Sequence, residues 1–248
     1  MLKIKILGCG ASLGVPIIGC NCTVCKSSSD YNKRTRSAIY IYTENTKVLV
    51  DFGCDIKQQL IRERISQLDA AILTHYHADH VAGIDDIRIF SCINNSALAI
   101  YTDYSTTEIL KKRHDYLFKN NQLKIHSCNF YERFNIKNLE IQFFAQHHGK
   151  INSIGIKIND FVYSCDVESF PEESEKYLYN INYWVLDCIG YEHNHSHAGL
   201  DKILDWNKKY TPNNILLTGM HHTIDYHKIQ DVLPNNIQPL YDGFEINL

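Results

Sequence analysis

Apolar residues along this chain follow two periods in turn, every second position and every third or fourth, and the switches between them mark out interleaved strands and helices. Leu2, Ile4 and Ile6 alternate with Lys3 and Lys5, which predicts a strand over 2–7. After a long loop at 8–36 comes a hairpin, its strands at 37–42 and 47–50 flanking Thr43-Glu44-Asn45-Thr46, and the second strand ends at Asp51-Phe52-Gly53. Ile56, Leu60, Ile61 and Ile65 recur at helical spacing, and Ala70-Ala71-Ile72-Leu73 is a short buried strand. Farther on the pattern predicts a strand at 97–101, a helix at 104–118, and strands at 139–145, 152–158 and 161–165. A helix opened by Pro171-Glu172-Glu173 follows, then a strand at 183–187, a helix at 197–209, a strand at 214–217 and a last strand near 243–247. Hairpins mixed with helices call for packed mixed sheets. With no Pro/Gly/Ser-rich linker or internal repeat, the expectation is one α/β domain over residues 1–248.

Composition narrows the function classes. A hydrophobic content of 44% with 21% charged residues fits a chain with a sizeable core and excludes disorder. The net charge is −3 and the densest basic stretch is only Lys111-Lys112-Arg113, so no extended nucleic-acid partner is expected. Without an apolar run of about 18 residues or a signal-peptide core, no membrane partner is expected either, and the cytoplasm is the predicted location. Oligomeric state stays open, a homodimer included.

Nine cysteines, an odd number, make a poor disulfide framework. Three of them cluster in Gly19-Cys20-Asn21-Cys22-Thr23-Val24-Cys25, where the sulfurs of Cys20, Cys22 and Cys25 can converge on one ion about 2.3 Å away. In a reducing compartment that ion is zinc, with a fourth ligand to come from elsewhere in the chain. Cys9, Cys54, Cys92, Cys128, Cys165 and Cys188 read as small hydrophobes in apolar or strand-like settings.

The densest candidate chemistry follows the strand at 70–73. Thr74-His75-Tyr76-His77-Ala78-Asp79-His80 offers three imidazoles and a carboxylate within six positions, donors that suit zinc, iron or manganese. Two ligand pairs in one short loop point to two adjacent ions. A solvated turn would account for one or two such residues, not four. Other metal-competent groups also sit at strand ends: Gln146-His147-His148-Gly149, Asp166 after 161–165, His193-Asn194-His195-Ser196-His197, and Gly219-Met220-His221-His222 after 214–217. Asp166 could bridge two metals or simply close a turn. In the third segment one histidine is placed to be a proton donor or base, with Ser196 as a helix N-cap. Asp51 is either an acceptor for a ligand imidazole N–H or a turn carboxylate ahead of Gly53.

His-x-His-x-Asp-His after an apolar strand resembles the signature of the metallo-β-lactamase superfamily. Gly8-Cys9-Gly10-Ala11-Ser12-Leu13-Gly14-Val15-Pro16, the Cys20/Cys22/Cys25 loop, Ser164-Cys165-Asp166 and Tyr241-Asp242-Gly243 resemble, in order, its phosphodiesterase branch typified by phosphoribosyl 1,2-cyclic phosphate phosphodiesterase. That resemblance implies a four-layer αβ/βα sandwich, two mixed sheets flanked by helices, with two catalytic divalent metals, manganese or zinc, and a separate structural zinc. It implies that one catalytic metal takes His75, His77, His148 and bridging Asp166, and the other Asp79, His80, Asp166 and a C-terminal histidine. His148 is preferred to His147 because the family ligand precedes a small residue and then Lys or Arg, as in Gly149-Lys150. Related sequences usually carry a histidine directly after the Leu-Thr of the last strand, and this chain has Gly219 there. Family spacing puts His222 on the structural zinc with the three cysteines, which leaves His221 for the second catalytic metal; otherwise that metal is bound more weakly.

A two-metal centre supplies hydroxide at neutral pH by lowering the pKa of bound water. With a small phosphodiester as substrate, a cyclic phosphate or a short nucleotide, that hydroxide attacks in line and an alkoxide leaves. His197 aligns with the family's general acid, and with Asp79 it completes the expected catalytic pair. Three rivals compete. A tRNA 3′-end-processing nuclease shares the glycine-rich N-terminal motif and the His197-type acid, but its long basic substrate arm is not evident here. A thioester or lactone hydrolase would leave His197 with less to do. A metal- or nucleotide-binding module with a degraded site has Gly219 as its sequence support.

Overall fold

The computed structural model describes residues Met1–Leu248 as two seven-stranded mixed sheets packed face to face, with helices on the outside. In the first sheet, β1 (Lys3–Gly8), β2 (Ala38–Tyr42), β3 (Lys47–Val50), β4 (Ala70–Ile72), β5 (Leu98–Asp103) and β6 (Leu123–Cys128) lie in sequence order. In the second, β7 (Arg133–Ile136), β8 (Leu139–His148), β9 (Ile151–Ile158), β10 (Phe161–Ser164), β11 (Tyr183–Asp187), β12 (Asn214–Thr218) and β13 (Ile237–Pro239) do the same. The chain then returns as β14 (Glu245–Asn247), antiparallel to β1 at the edge of the first sheet. β3 to β6 run parallel, as do β10 to β13; the antiparallel pairs are the hairpins β2–β3, β7–β8, β8–β9 and β9–β10, together with β1–β2 and β1–β14.

Burial of both sheet faces explains why several strands read as unbroken apolar runs. Ile39, Ile41, Val48, Val50, Ala70 and Ile72 point into the core shared by the two sheets. Their neighbours Ala38, Tyr40, Leu49, Ala71 and Leu73 point the other way, onto the outer helices. Those helices are α1 (Ile56–Arg62), α2 (Ala78–Val81), α3 (Ile84–Ile87), α4 (Ile89–Asn94), α5 (Tyr104–Arg113) and α6 (Asp115–Lys119). On the second sheet lie α7 (Glu172–Glu175) and α8 (Leu200–Tyr210), with α9 (Tyr226–Gln230) before β13. No helix is long and apolar enough to cross a membrane.

Several expectations need correction. The helix predicted at 197–209 begins at Leu200 with Gly199 as its N-cap. Ser196 is not the cap: its backbone N–H and hydroxyl are tied to Asn194 Oδ1, which holds 194–197 as a loop. The helix predicted over 104–118 breaks at His114. β6, β7 and β13 went unpredicted because they are short or lie at sheet edges, where one face is wet and the apolar period is weak.

Candidate metal centre

Strand direction gathers the site. β8, β10, β11 and β12 all end on one rim of the second sheet, and β3 and β4 end on the facing rim of the first. The Ile154 N–H donates to the Thr74 carbonyl (3.0 Å) and ties the two rims together.

Ligand atoms of His75, His77, His148 and Asp166 lie within 4.8 Å of one another. His75 Nε2 is 2.9 Å from His77 Nδ1, His148 Nε2 is 3.2 Å from His77 Nδ1, and Asp166 Oδ2 is 3.6 and 3.4 Å from His75 and His148 Nε2. An ion with bonds of about 2.1 Å sets adjacent donors roughly 3.0–3.4 Å apart, so these spacings fit one. The rings are held from behind. His148 Nδ1 donates to the Ser196 carbonyl (2.7 Å), and His75 Nδ1 lies 3.1 Å from the Thr74 hydroxyl. Burial, then the neighbouring His80, holds His75 well below the ordinary histidine pKa, and burial lowers His77 as well. Metals bind the neutral imidazole that results.

Asp79 and His80 form a second group with the same Asp166. His80 Nε2 is 3.3 Å from Asp166 Oδ2 and 3.5 Å from Asp79 Oδ2. Its Nδ1 donates to Asp51 Oδ2 at 2.8 Å, and Asp51 also accepts from the Thr74 N–H (2.9 Å), so one buried carboxylate orients two loop residues. Asp51 and Asp166 both adopt left-handed backbone, φ 61° and 53°, a strained setting that recurs at functional positions. Residue 53 must be glycine, since a Cβ there would meet the Asp79 carbonyl oxygen at 1.9 Å.

Asp187, at the end of β11, was absent from the sequence-based candidates. It is fully buried; its Oδ2 accepts from His197 Nδ1 (2.7 Å) and from the Val167 N–H (3.1 Å), and its carboxylate lies within 4.8 Å of Asp166. Burial disfavours the charged imidazole of His197, but Asp187 outweighs it and the pKa rises to about 9. A legible signal existed: Val50-Asp51, Cys165-Asp166 and Leu186-Asp187 each close an apolar strand on an aspartate.

Four buried or largely buried carboxylates, those of Asp51, Asp79, Asp166 and Asp187, thus meet where the two rims face each other, with histidines as their ion-pair partners. Such a concentration of negative charge in a low-dielectric site calls for cations, and the donor set of imidazole and carboxylate suits divalent ones.

Cys20, Cys22 and Cys25 Sγ lie 3.2, 3.4 and 3.6 Å from His222 Nδ1, close to the edges of a tetrahedron about a zinc ion with bonds of about 2.3 Å. Hydrogen bonding from the Cys25 N–H, ahead of the burial that opposes it, brings the Cys22 thiol to about 6 and favours the thiolate that zinc requires. His221 does not join the second catalytic group. Met220 is bridged to Gly10, its N–H donating to the Cys9 carbonyl (2.9 Å), and this pins the segment so that the His221 ring packs on His222, centroids 4.0 Å apart. The expectation that His221 completes the catalytic site is therefore corrected. His147 and His193 also stay outside, paired with Asn152 and Asp201, and His195 is exposed.

Residues 46–220 match the family model of the β-lactamase superfamily domain. An octanoyltransferase of Porphyromonas gingivalis is 30% identical over 98% of this chain, although the chain spans only 51% of that relative's length. A ribonuclease Z of Clostridium kluyveri is 28% identical over 36% of this chain and 25% of its own length. Among solved structures, a diphosphatase from the PhnP family superposes with a TM-score of 0.94 at 28% identity, covering 100% of this chain and 98% of that one. With the family match spanning most of the chain and a solved structure superposing over its whole length, this chain belongs to the metallo-β-lactamase superfamily.

Proposed function

We propose that the chain hydrolyses a small phosphodiester at the Asp166 cluster, with two divalent ions, manganese or zinc, on the catalytic donors and a zinc on the cysteine site. One observation carries the reading: His197, its Nδ1 2.7 Å from the buried Asp187 carboxylate, stands beside the metal donors, its ring 4.7 Å from that of His148. Divalent ions held by these donors would lower the pKa of a bound water to about 7 and would draw charge from a phosphoryl group. The chain itself supplies the rest. His75, His77, His148, Asp79, His80 and Asp166 fix the donor positions, Asp51 and the Ser196 carbonyl fix the rings, and His197 hands a proton to the departing oxygen while Asp187 keeps its ring aimed.

A cavity of about 500 Å³ adjoins Tyr76 and Lys150, lined also by Tyr104, Phe130 and Ile151. That volume suits a small organic group. The aromatic walls would cover its apolar part, and the Lys150 ammonium, which makes no salt bridge, would face an anionic one.

A thioester substrate is the second reading, favoured by the relative named octanoyltransferase. A thiolate leaves with a pKa of about 8.5 and needs no proton, so the Asp187–His197 pair would stand idle. The test is His77→Ala assayed on an aryl phosphodiester and on an octanoyl thioester, with circular dichroism as the check on folding. Loss of phosphodiester hydrolysis in a folded variant is expected. Unchanged activity, or a wild type active only on the thioester, overturns the proposal.

A further inference from the structure

The two groups of donors are unequal, four atoms on the His75, His77, His148, Asp166 side and three on the Asp79, His80, Asp166 side. β12 ends beside Asp187, whose carboxylate is grouped with the shared Asp166, and the residue that follows the strand is Gly219. Gly219 has φ +66°, and a Cβ built there would meet Asp187 Oδ1 at 2.3 Å and Cγ at 3.3 Å. Asp187 Oδ1 is buried and has no hydrogen-bond partner, although Oδ2 of the same carboxylate has two. Thr218 Oγ1, in register with Asp187 across the parallel pair, is also buried and unpartnered. Two orphaned oxygens thus lie beside a residue with no side chain, although an unsatisfied buried polar group is costly.

We infer that Asp187 and Gly219 together keep the second metal position one protein ligand short. Asp187 holds His197 through Oδ2 while its Oδ1 occupies the volume a side chain at 219 would need. Ions would then load in order, first on the four donors of His75, His77, His148 and Asp166, and the position held by Asp79, His80 and Asp166 would be left able to accept an oxygen of the substrate. This rests on the two-ion reading above and adds an order and a recruiting role for substrate. Loss of a hydrogen-bonding partner of a ligand alone weakens metal binding by about 10–100-fold. A missing ligand should therefore separate the two affinities by at least about tenfold.

The experiment titrates the full chain, dialysed against a chelator, with Mn²⁺, counting free ion by its electron paramagnetic resonance signal with and without inorganic phosphate. The expected result is one tight class and one at least about tenfold weaker, with phosphate tightening only the weaker. Two ions of equal affinity, or a weaker class indifferent to phosphate, would overturn the inference and leave the two-ion reading standing. A single ion under all conditions would overturn both. A double variant separates the residues. Gly219→His alone should not strengthen the weak class, because its Cβ meets Asp187 Oδ1. Gly219→His with Asp187→Ala clears that volume, and histidine tolerates left-handed backbone better than most residues. It should bring the weak class to within a few-fold of the tight one. If the single variant tightens the weak class as much as the double, Asp187 is not the obstacle and the inference fails.

Discussion

Asp187→Asn isolates the charge that tunes the proposed acid. Asparagine keeps the volume at a fully buried position and keeps an oxygen able to accept from His197 Nδ1, so the imidazole stays roughly where it is. The charge that overcomes burial and lifts His197 to about 9 is gone. What remains facing the ring is Asp166, which raises its pKa, and His80, which lowers it together with burial, so the variant's imidazole falls toward or below its ordinary value of about 6.5. At about pH 8 the protonated fraction then drops from roughly 0.9 to roughly 0.03, a loss of about 30-fold in the form able to donate, or ~2 kcal/mol. His197 is an acid below its pKa, so activity falls as pH rises through it. The alkaline limb of kcat/KM should move down by about two units or more in the variant. Bound divalent ions act on both proteins alike, which makes the difference between the two profiles the readout. The assay compares an alkyl diester with a nitrophenyl diester from about pH 6 to about pH 10. The alkyl substrate should show the full loss and the nitrophenyl substrate little, because nitrophenolate departs unprotonated. An unmoved alkaline limb, or equal losses on both substrates, would refute the role given to Asp187 and His197.

Cys22→Ser should remove one zinc per chain by elemental analysis and lower Tm, since a structural zinc is worth about 10–16 kcal/mol of binding energy in small sites and a fifth of that is roughly 4–12 °C here; a stable, zinc-replete variant would count against the Cys20/Cys22/Cys25/His222 site. Lys150→Ala should raise KM for an anionic phosphodiester by about tenfold, ~1.4 kcal/mol, with kcat nearly unchanged. An equal fall in kcat at constant KM would mean that the lysine serves the reaction rather than the bound substrate.

How much of this site a sequence discloses depends on how its residues are spaced along the chain. The His75–His80 loop was legible because four donors fall within six positions, closer than any packing requirement brings them. The three cysteines were legible for the same reason, and His222 because its distance from the last apolar strand fits a known pattern. Periods of two and 3.6 marked the long elements, since Ile39, Ile41, Val48 and Val50 face one core while Tyr40 and Leu49 face another. Residues 78–94 gave no such period, being three short helices of four to six residues each.

Asp187 and His221 failed in opposite directions, and the reason is the same. A histidine next to another histidine attracts a metal role by composition, yet the direction of its side chain is set by the backbone, here by Met220 bridged to Gly10. An aspartate closing Trp184-Val185-Leu186 looks like the end of a buried strand. What gives it chemistry is a register: β10, β11 and β12 run parallel, so Asp166, Asp187 and Gly219 fall on one rim although about 20 and then about 30 residues separate them. Only that alignment makes a glycine and an aspartate parts of one device, in which the missing side chain of the first is the room occupied by the second. A strand-end aspartate should therefore be read against the residues that end its neighbouring strands, and not against its own sequence neighbours.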